Sequence, residues 1–373
     1  MRVASYLALR QLRRSPRRSA AIISVLALLI SLVSVFSVVG DAQVRGLSGL
    51  VAQNEADLWV MAAGAQGALA ASRVDPAVIG AVEQVAGVAQ VSPIGEVRVA
   101  MVVDEVRVDA SLWGIDPDGA GAPPIVAGRA VRAGEEAIVD GADVGLGLVP
   151  GREVRLPEFP ISVRIVGLSE ARRYASIPTV TVDYATWERL VDELNPDSDD
   201  VFPTVLAVRV DQPDERMAVA EAIEGSVASV TVRAPAAIAE ELPGIAGLRA
   251  SFGAAALVAL VAVIALAGSF VRLELTRQER SNAELRAVGV MPRTLGLVVQ
   301  LQVLVATIVA ALVAVVLVAV AAAVSPPRVP IAVDVTTITV VAVLAWVGAA
   351  AATARWARTL GRIDPSAALR QVA

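Results

Sequence analysis

The chain has 373 residues, of which 56% are hydrophobic, and its mean hydropathy of +0.66 exceeds that of an ordinary soluble protein. It contains no Cys and no His, which excludes disulfides, thiolate nucleophiles, His-dependent catalytic triads and His or Cys metal sites. It contains no Lys either, so all 32 basic residues are Arg, and Walker-A ATP binding and Schiff-base chemistry are excluded as well.

Four uncharged apolar runs are long enough to cross a bilayer, which takes about 20 residues of helix. They are residues 19–40, 250–271, 294–324 and 335–354, and they predict four transmembrane helices. The Arg-rich flank of the first run would suit a signal peptide. That run exceeds the roughly 7–15 residues of a signal h-region and has no convincing A-x-A site, so an uncleaved anchor is favoured.

The distribution of Arg predicts the orientation of the helices through the positive-inside rule. Segment 1–18 has six Arg and no acidic residue, and its pattern predicts an interfacial helix. Loop 272–293 has five Arg and three Glu, and tail 355–373 has four Arg and one Asp. Segment 41–249 has 16 Arg and 32 Asp or Glu, a net charge of −16. We therefore expect both termini and the 272–293 loop on the cytoplasmic side of the membrane, with 41–249 and 325–334 on the other side.

Segment 41–249 predicts an α+β domain inserted between the first two spans. Alternating residues predict a hairpin of strands 97–103 and 106–112, and shorter strands at 162–167 and 179–183. A helix followed by a strand occurs twice, as 75–85 then 89–91, and as 214–224 then 229–232. This order predicts two βαβ-like halves that flank a β-rich insert.

Clusters of acidic residues in this domain raise the question of a cation site. They are Asp104-Glu105, Glu135-Glu136, and Asp197 with Asp199-Asp200. None has the ligand spacing of a calcium loop, so solvated loops are favoured over a site. We expect no metal, no bound cofactor and no catalytic residue in this chain.

Small residues form a stripe along the first span, at Ser24, Ala27, Ser31 and Ser34. Small side chains allow helices to approach closely in lipid. The stripe fits a homodimer face or packing within one chain, and both interpretations remain open.

Several motifs, in a fixed order, carry a resemblance to a known family. They are LWGIDPD (112–118), EEAIVDGADVGLGLVPGREVRL (135–156), ERSNAELRAVGVMPRTL (279–295) and GRIDPSAALR (361–370). With the four-helix topology they resemble the MacB/FtsX-type permease subunits of ABC transporters. Segments DLWVMAAGAQG (57–67) and YASIPTVTVDYATWERL (174–190) are similar to the DevC/HrtB-like branch of that family.

The resemblance implies a MacB-like periplasmic domain and a permease without ATPase activity of its own. ATP and Mg would be bound by a separate ABC ATP-binding subunit, docked on loop 272–293 as a coupling helix. The coupling residues carried over are Glu279, Glu284, Leu285, Arg286 and Gly289. On the residues alone, the same loop also fits plain juxtamembrane charge.

The partners and function implied are those of a membrane transporter. We expect a permease dimer, contact with membrane lipids, an extracytoplasmic accessory protein as a further partner, and no nucleic acid. The expected function is export or extraction of a lipophilic substrate such as a lipid, lipoprotein, drug or haem. Haem would have only Tyr, Met or carboxylate ligands here, because His and Cys are missing.

Two other functions are alternatives to transport. The chain could act as a mechanotransmission subunit that activates an extracytoplasmic partner such as a cell-wall hydrolase. A membrane enzyme is disfavoured, because the chain has no His, Lys or Cys and its apolar runs contain no acid pairs.

Overall fold

The computed structural model describes residues 16–65, 68–132, 134–159, 161–170, 172–194, 200–277, 292–324 and 333–360. The chain divides into two compact units. Residues 41–249 form one, and residues 1–40 with 250–373 form the other.

The main helices and strands are numbered in chain order. The helices are α1 (Pro16–Ala52), α2 (Ala77–Glu83), α3 (Tyr184–Leu194), α4 (Arg216–Ser226), α5 (Pro235–Glu241), α6 (Ile245–Arg277), α7 (Pro292–Val324) and α8 (Val335–Leu360). The strands are β1 (Leu58–Ala62), β2 (Val88–Val103), β3 (Val106–Ile115), β4 (Ala127–Gly128), β5 (Glu136–Asp140), β6 (Glu153–Leu156), β7 (Ile161–Ser169), β8 (Thr179–Asp183), β9 (Val205–Val210) and β10 (Val230–Arg233).

Four helices, α1, α6, α7 and α8, are long and apolar enough to cross a membrane. In the unit that contains these spans, one side of each helix is buried in a shared core of small and branched aliphatic residues, which includes Leu26, Val263, Val303 and Ala345. The outward sides carry exposed Leu and Val, as expected for helices whose solvent is lipid. The predicted fold class is thereby confirmed: four membrane-capable helices, with an α+β domain between the first two.

All four helices run beyond the apolar runs that predict them, and α1 and α6 do so within segment 41–249. Helix α1 continues 12 residues past residue 40, and α6 begins 5 residues before residue 250. The continuation of α1 has its own apolar contacts, because Leu50 and Val51 are buried in a core of the 41–249 unit and Val44 and Leu47 pack against that core. Hydropathy locates the membrane run and cannot show where the helix itself ends.

The predicted βαβ halves are interleaved in one sheet. Strands β10, β1, β9 and β2 lie side by side in that order, and every neighbouring pair is antiparallel. The strands of each βαβ unit therefore flank a strand of the other, as in split-βαβ, ferredoxin-like topology. The sequence shows the two units, and the structure corrects their arrangement, because their strands alternate instead of forming separate halves.

Alternating residues of this sheet belong to two separate hydrophobic cores, because successive side chains of a strand point to opposite faces of the sheet. Leu58 and Val60 pack with Val219 and Ile223 of α4 in one core. Trp59 and Met61 belong to the other core, which also contains the buried end of α1, α5 and the first residue of α6.

The β-rich insert lies between β2 and β9 and extends the same sheet through β3, β8, β5, β7 and β4. The predicted hairpin is present, with Val103 opposite Val106 and the turn at Asp104 and Glu105. Strand β2 joins the two parts, pairing with β9 from residue 88 to 94 and with β3 from residue 95 to 103. The core of the insert is closed by Trp187 and Leu190 of α3.

Candidate functional site

The last turns of α1 share backbone hydrogen bonds with a tight turn at residues 173–176. The amide of Leu50 donates to the carbonyl oxygen of Arg173 at 2.9 Å. In return the amides of Ala175 and Ser176 donate to the carbonyl oxygens of Leu47 and Gly46, at 3.0 and 2.8 Å. We call this arrangement the α1 joint: residues 46–50 of α1 with residues 173–176.

The turn in the α1 joint has an unusual backbone. Ala175 and Ser176 have φ angles of 54° and 60°, a left-handed region that costs a non-glycine residue roughly 1–2 kcal/mol. Tyr174 and Ile177 form an isolated antiparallel bridge across them. The hydrogen bonds to α1 hold this conformation, and the lack of a side chain at Gly46 lets Ser176 approach the helix.

A buried ion pair fixes the residue that begins the turn. The guanidinium of Arg173 donates through Nε to Oδ1 of Asp143 at 3.0 Å, and a second nitrogen contacts the same oxygen. Asp143 is completely buried, and its burial raises the pKa of its carboxyl against the opposing effect of Arg173. The neighbouring Asp140 accepts hydrogen bonds from the amides of Arg172 and Ala142. These two carboxylates anchor residues 172–173 to the loop that follows β5.

An aromatic contact connects the turn to a buried carboxyl group. The ring of Tyr174 meets that of Trp113 edge-on, with centroids 5.2 Å apart. Trp113 Nε1 donates to Ser111 Oγ at 2.8 Å, and Ser111 Oγ donates to Glu96 Oε1 at 2.8 Å. Glu96 lies in β2 just past the point where that strand changes partners from β9 to β3. The chain of contacts therefore runs from the α1 joint to the middle of the sheet.

Burial shifts the pKa values of two residues in this series of contacts. It raises the pKa of Glu96, opposed by the hydrogen bond from Ser111 and by the charges of Arg98 and Arg73. Burial also raises the pKa of Tyr174 to about 12, with a contribution from the charge of Glu96. Tyr174 is therefore neutral at physiological pH, and its contact with Trp113 is one between uncharged rings.

Most of the sequence-predicted functional residues lie elsewhere. The coupling residues Glu279, Glu284, Leu285, Arg286 and Gly289 fall outside the described residues, so their role stays a prediction. No group of three or more acidic residues able to hold a metal ion occurs in the described part of the chain.

The small-residue stripe of the first span is mostly turned into its own chain. Ala27, Ser31 and Ser34 are buried, and Ala27 belongs to the core of the membrane-capable helices. Ser24 is exposed. Three of the four residues thus pack within one chain, and the possible dimer face at Ser24, Ala27, Ser31 and Ser34 stays a prediction.

Sequence reasoning missed the α1 joint. Segment 174–190 carries part of the family resemblance, but nothing in the order of residues marks Arg172 as buried or pairs Arg173 with Asp143, 30 residues earlier. The local signal is an Arg-Arg pair in the segment between β7 and β8, and charged pairs in such connecting segments are usually exposed.

Comparisons with known proteins give structural likenesses only. No protein-family model matches the chain, and no curated protein matches it. The extracellular domain of the ABC-type transporter YknZ from Gram-positive bacteria is similar over 43% of this chain and 89% of its own, at 15% identity and a TM-score of 0.33. The periplasmic region of MacB from Actinobacillus actinomycetemcomitans is similar over 51% of this chain and 94% of its own, at 11% identity and a TM-score of 0.38.

Proposed function

We propose that this chain is the permease subunit of an ABC transporter in the bacterial cytoplasmic membrane. ATP would be bound and hydrolysed by a separate subunit on the cytoplasmic side. The permease would convert that cycle into movement of its 41–249 domain outside the membrane, and so export or extract a lipophilic substrate.

The observation that carries the proposal is the continuity of α1. One helix of 37 residues contains an apolar span and ends inside a core of the 41–249 unit. At 1.5 Å per residue it is about 55 Å long. Its last turns share three backbone hydrogen bonds with residues 173–176, so the end of the helix is part of the framework of the 41–249 unit, through which we propose that its displacement would act.

The sequence supports the division of labour between two subunits. Without Lys the chain cannot form a Walker-A site. The predicted cytoplasmic loop 272–293 combines five Arg with three Glu around an apolar side, a surface suited to a protein partner. The resemblance of residues 279–295 to the coupling segment of permeases makes this loop the proposed docking site for the ATPase.

The exposed surfaces of the spans support a lipophilic substrate. Residues that face outward from α6 and α7 include Leu257, Val261, Leu312 and Val316. The four apolar runs contain no ionisable residue, and such residues normally mark the path of an ion or polar solute. A lipid-like molecule that moves along the bilayer or the domain surface needs no polar pathway.

Co-purification tests the partner directly. The full chain is expressed with each candidate ATP-binding subunit of the same organism in turn, and any complex is assayed for vanadate-sensitive ATPase activity. The double variant Glu284→Arg with Arg286→Glu should lower ATPase recovery at least fivefold, because it reverses the charge pattern of the docking loop. Arg328→Glu, in the short loop predicted outside, is the control and should not change recovery. Failure of any ATP-binding subunit to associate would overturn the proposal.

Efflux measurements separate transport from mechanotransmission. Deletion of a transporter raises cellular sensitivity to its lipophilic substrate or causes lipid to accumulate in the membrane. A mechanotransmission subunit would leave efflux unchanged, and its 41–249 domain would instead retain an extracytoplasmic enzyme in a pull-down from membranes.

A further inference from the structure

Strand β10 is a free edge of the ten-stranded sheet. The path of neighbouring strands ends at β10 and at β4. Because β4 has only two residues and β10 has four, β10 is the longer end strand in the described part of the chain. A free edge presents backbone N–H and C=O groups that can pair with a strand of another molecule. The way in which this edge is closed therefore bears on how the chain can assemble.

The register of β10 shows which of its backbone groups face outward. In an antiparallel pair the hydrogen-bonded positions alternate along the strand. The amide of Ala63 donates to the carbonyl oxygen of Ser229 at 2.9 Å, and Thr231 is the next position of β10 that bonds with β1 in the same register. The amides and carbonyls of Val230 and Val232 therefore point away from β1, toward the open side of the edge.

A carboxylate from α4 occupies this open side. Oε1 of Glu224 accepts a hydrogen bond of 2.7 Å from the amide of Val232. Glu224 lies in the last turn of α4, and Val219 and Ile223 of the same helix pack with Val230 and Val232 in one core. This packing holds α4 beside the edge. Because Glu224 is itself exposed, an incoming strand could reach the amide if the carboxylate were absent.

The end of β10 limits the edge further. Arg233, the last residue of the strand, forms an exposed ion pair with Glu241. Pro235 begins α5 two residues later and has no N–H group to donate. Short strands, charged side chains and proline are features that discourage pairing at a natural sheet edge. The open part of the edge is thus confined to Val230 and Val232, and Glu224 covers the amide of the second.

We propose that the hydrogen bond from Val232 to Glu224 is an autoinhibitory contact, which prevents β10 from pairing with β10 of a second copy of this chain. Antiparallel pairing about a two-fold axis is self-complementary, so a second copy always supplies a matching edge. Val230 of one copy would lie opposite Val232 of the other, and half of the hydrogen bonds between them would come from the amide of Val232. With that amide occupied, a dimer of this chain must use another surface. The contact lies within the 41–249 unit and is independent of the proposed transport function.

A cysteine at residue 231 reports this pairing. In the two-fold arrangement Thr231 lies opposite its counterpart at a non-hydrogen-bonded position, where Cα atoms are ~4.5 Å apart, a separation that a disulfide accepts. The chain has no Cys, so a Thr231→Cys protein can cross-link only through this residue. The full-length protein is purified in detergent, oxidised mildly and analysed on a non-reducing gel.

Removal of the carboxylate should open the edge. In the Thr231→Cys background, Glu224→Met takes away the acceptor and keeps a side chain of similar length, and it should raise the yield of disulfide-linked dimer about fivefold or more. Glu224→Gln retains an acceptor oxygen and should leave the yield within about twofold of the parent. Glu221→Met is the matched control, on an exposed residue of the same helix, and should also leave the yield unchanged.

Two results would overturn the proposal. An unchanged yield in the Glu224→Met protein, with the unfolding temperature of the parent retained, would show that the edge is closed without Glu224. An equal rise in the Glu224→Gln and Glu224→Met proteins would show that charge, and not the occupied amide, keeps the copies apart. Glu224→Ala replaces Glu224→Met if the larger side chain lowers the unfolding temperature, and it is judged by the same two outcomes.

Discussion

The amide of Ser176 donates a 2.8 Å hydrogen bond to the carbonyl oxygen of Gly46, so a strained turn is held directly against the backbone of α1. A Cβ atom placed on Gly46 would lie 4.0 Å from that of Ser176, within the ~3.5–4.5 Å that a disulfide requires. Since the chain has no Cys, two introduced cysteines could pair only with each other within one molecule.

We therefore predict that the Gly46→Cys, Ser176→Cys double variant forms an intramolecular disulfide on mild oxidation. Titration of free thiols and mobility on a non-reducing gel measure the yield, which should exceed 80% if the joint is a stable contact. Arg45→Cys with Ser176→Cys is the control, because residue 45 is exposed. Its side chain lies about 100° around the helix from that of residue 46. Equal yields from both pairs would show that the joint is loosely held.

The same disulfide probes the proposed coupling. If the α1 joint transmits displacement as a fixed connection, locking it should leave partner-dependent ATPase activity and transport within about twofold of the reduced protein. A loss of more than tenfold, reversed by reductant, would show instead that the turn must separate from α1 during the cycle.

The ion pair beneath the turn predicts a stability effect. Arg173→Met leaves the completely buried Asp143 without the charge that opposes the effect of burial on the pKa of its carboxyl, and removal of one partner of a buried pair costs about 3–5 kcal/mol. Because the unpaired carboxyl can take up a proton instead of staying charged, we expect about 2–4 kcal/mol in the free energy of unfolding of the 41–249 unit. Thermal unfolding of the full chain, followed by Trp fluorescence, measures it. Glu153→Gln is the control, since its pairing with Arg164 is exposed on both sides and is worth about 0–1 kcal/mol.

Two glycines beside Trp187 give a prediction about packing. A Cβ atom on Gly95 or Gly114 would lie 2.3 Å from side-chain atoms of Trp187, which is almost fully buried. Gly95→Ala and Gly114→Ala should each destabilise the unit by about 1–3 kcal/mol or more, because the indole cannot move away without disturbing the core. Gly80→Ala, in an exposed helical position with no atom within 4 Å, should instead stabilise it by about 0.4–1 kcal/mol. Equal effects from all three would contradict the close packing.

The sequence predicts what depends on periodicity, and it misses what depends on distant contacts. Uncharged runs give the four spans, and alternation gives the hairpin at Asp104 and Glu105, because both patterns are local. The interleaving of β1, β9 and β10 is not local, since it depends on which strand pairs with which. The pairing of Arg173 with Asp143 cannot be predicted for the same reason. The two residues are far apart in the sequence, and only the fold brings their side chains together.

Glu96 gives the last prediction, which concerns pH. Burial raises the pKa of its carboxyl in the folded protein above that in the unfolded chain, so the fold binds the proton more tightly than the unfolded chain does. Its contribution to stability is therefore greatest below the unfolded pKa, near 4.5, and is lost as pH rises through the folded pKa. The groups that face it are Ser111, Arg98, Arg73 and Tyr174, and the pKa of Tyr174 is raised to about 12.

Glu96→Gln keeps an oxygen that can accept the hydrogen bond from Ser111 and removes the charge. The variant should unfold at a higher temperature than the wild type at pH 7.5, and this advantage should shrink steadily toward pH 4.5. Thermal unfolding across that pH range gives the difference directly, and subtraction of the two curves cancels the titration of other carboxylates. Glu221→Gln, on α4 and exposed, is the control and should track the wild type at every pH. A Glu96→Gln protein that is less stable at pH 7.5 would mean that the charged form is stabilised by Arg98 and Arg73 more than it is penalised by burial.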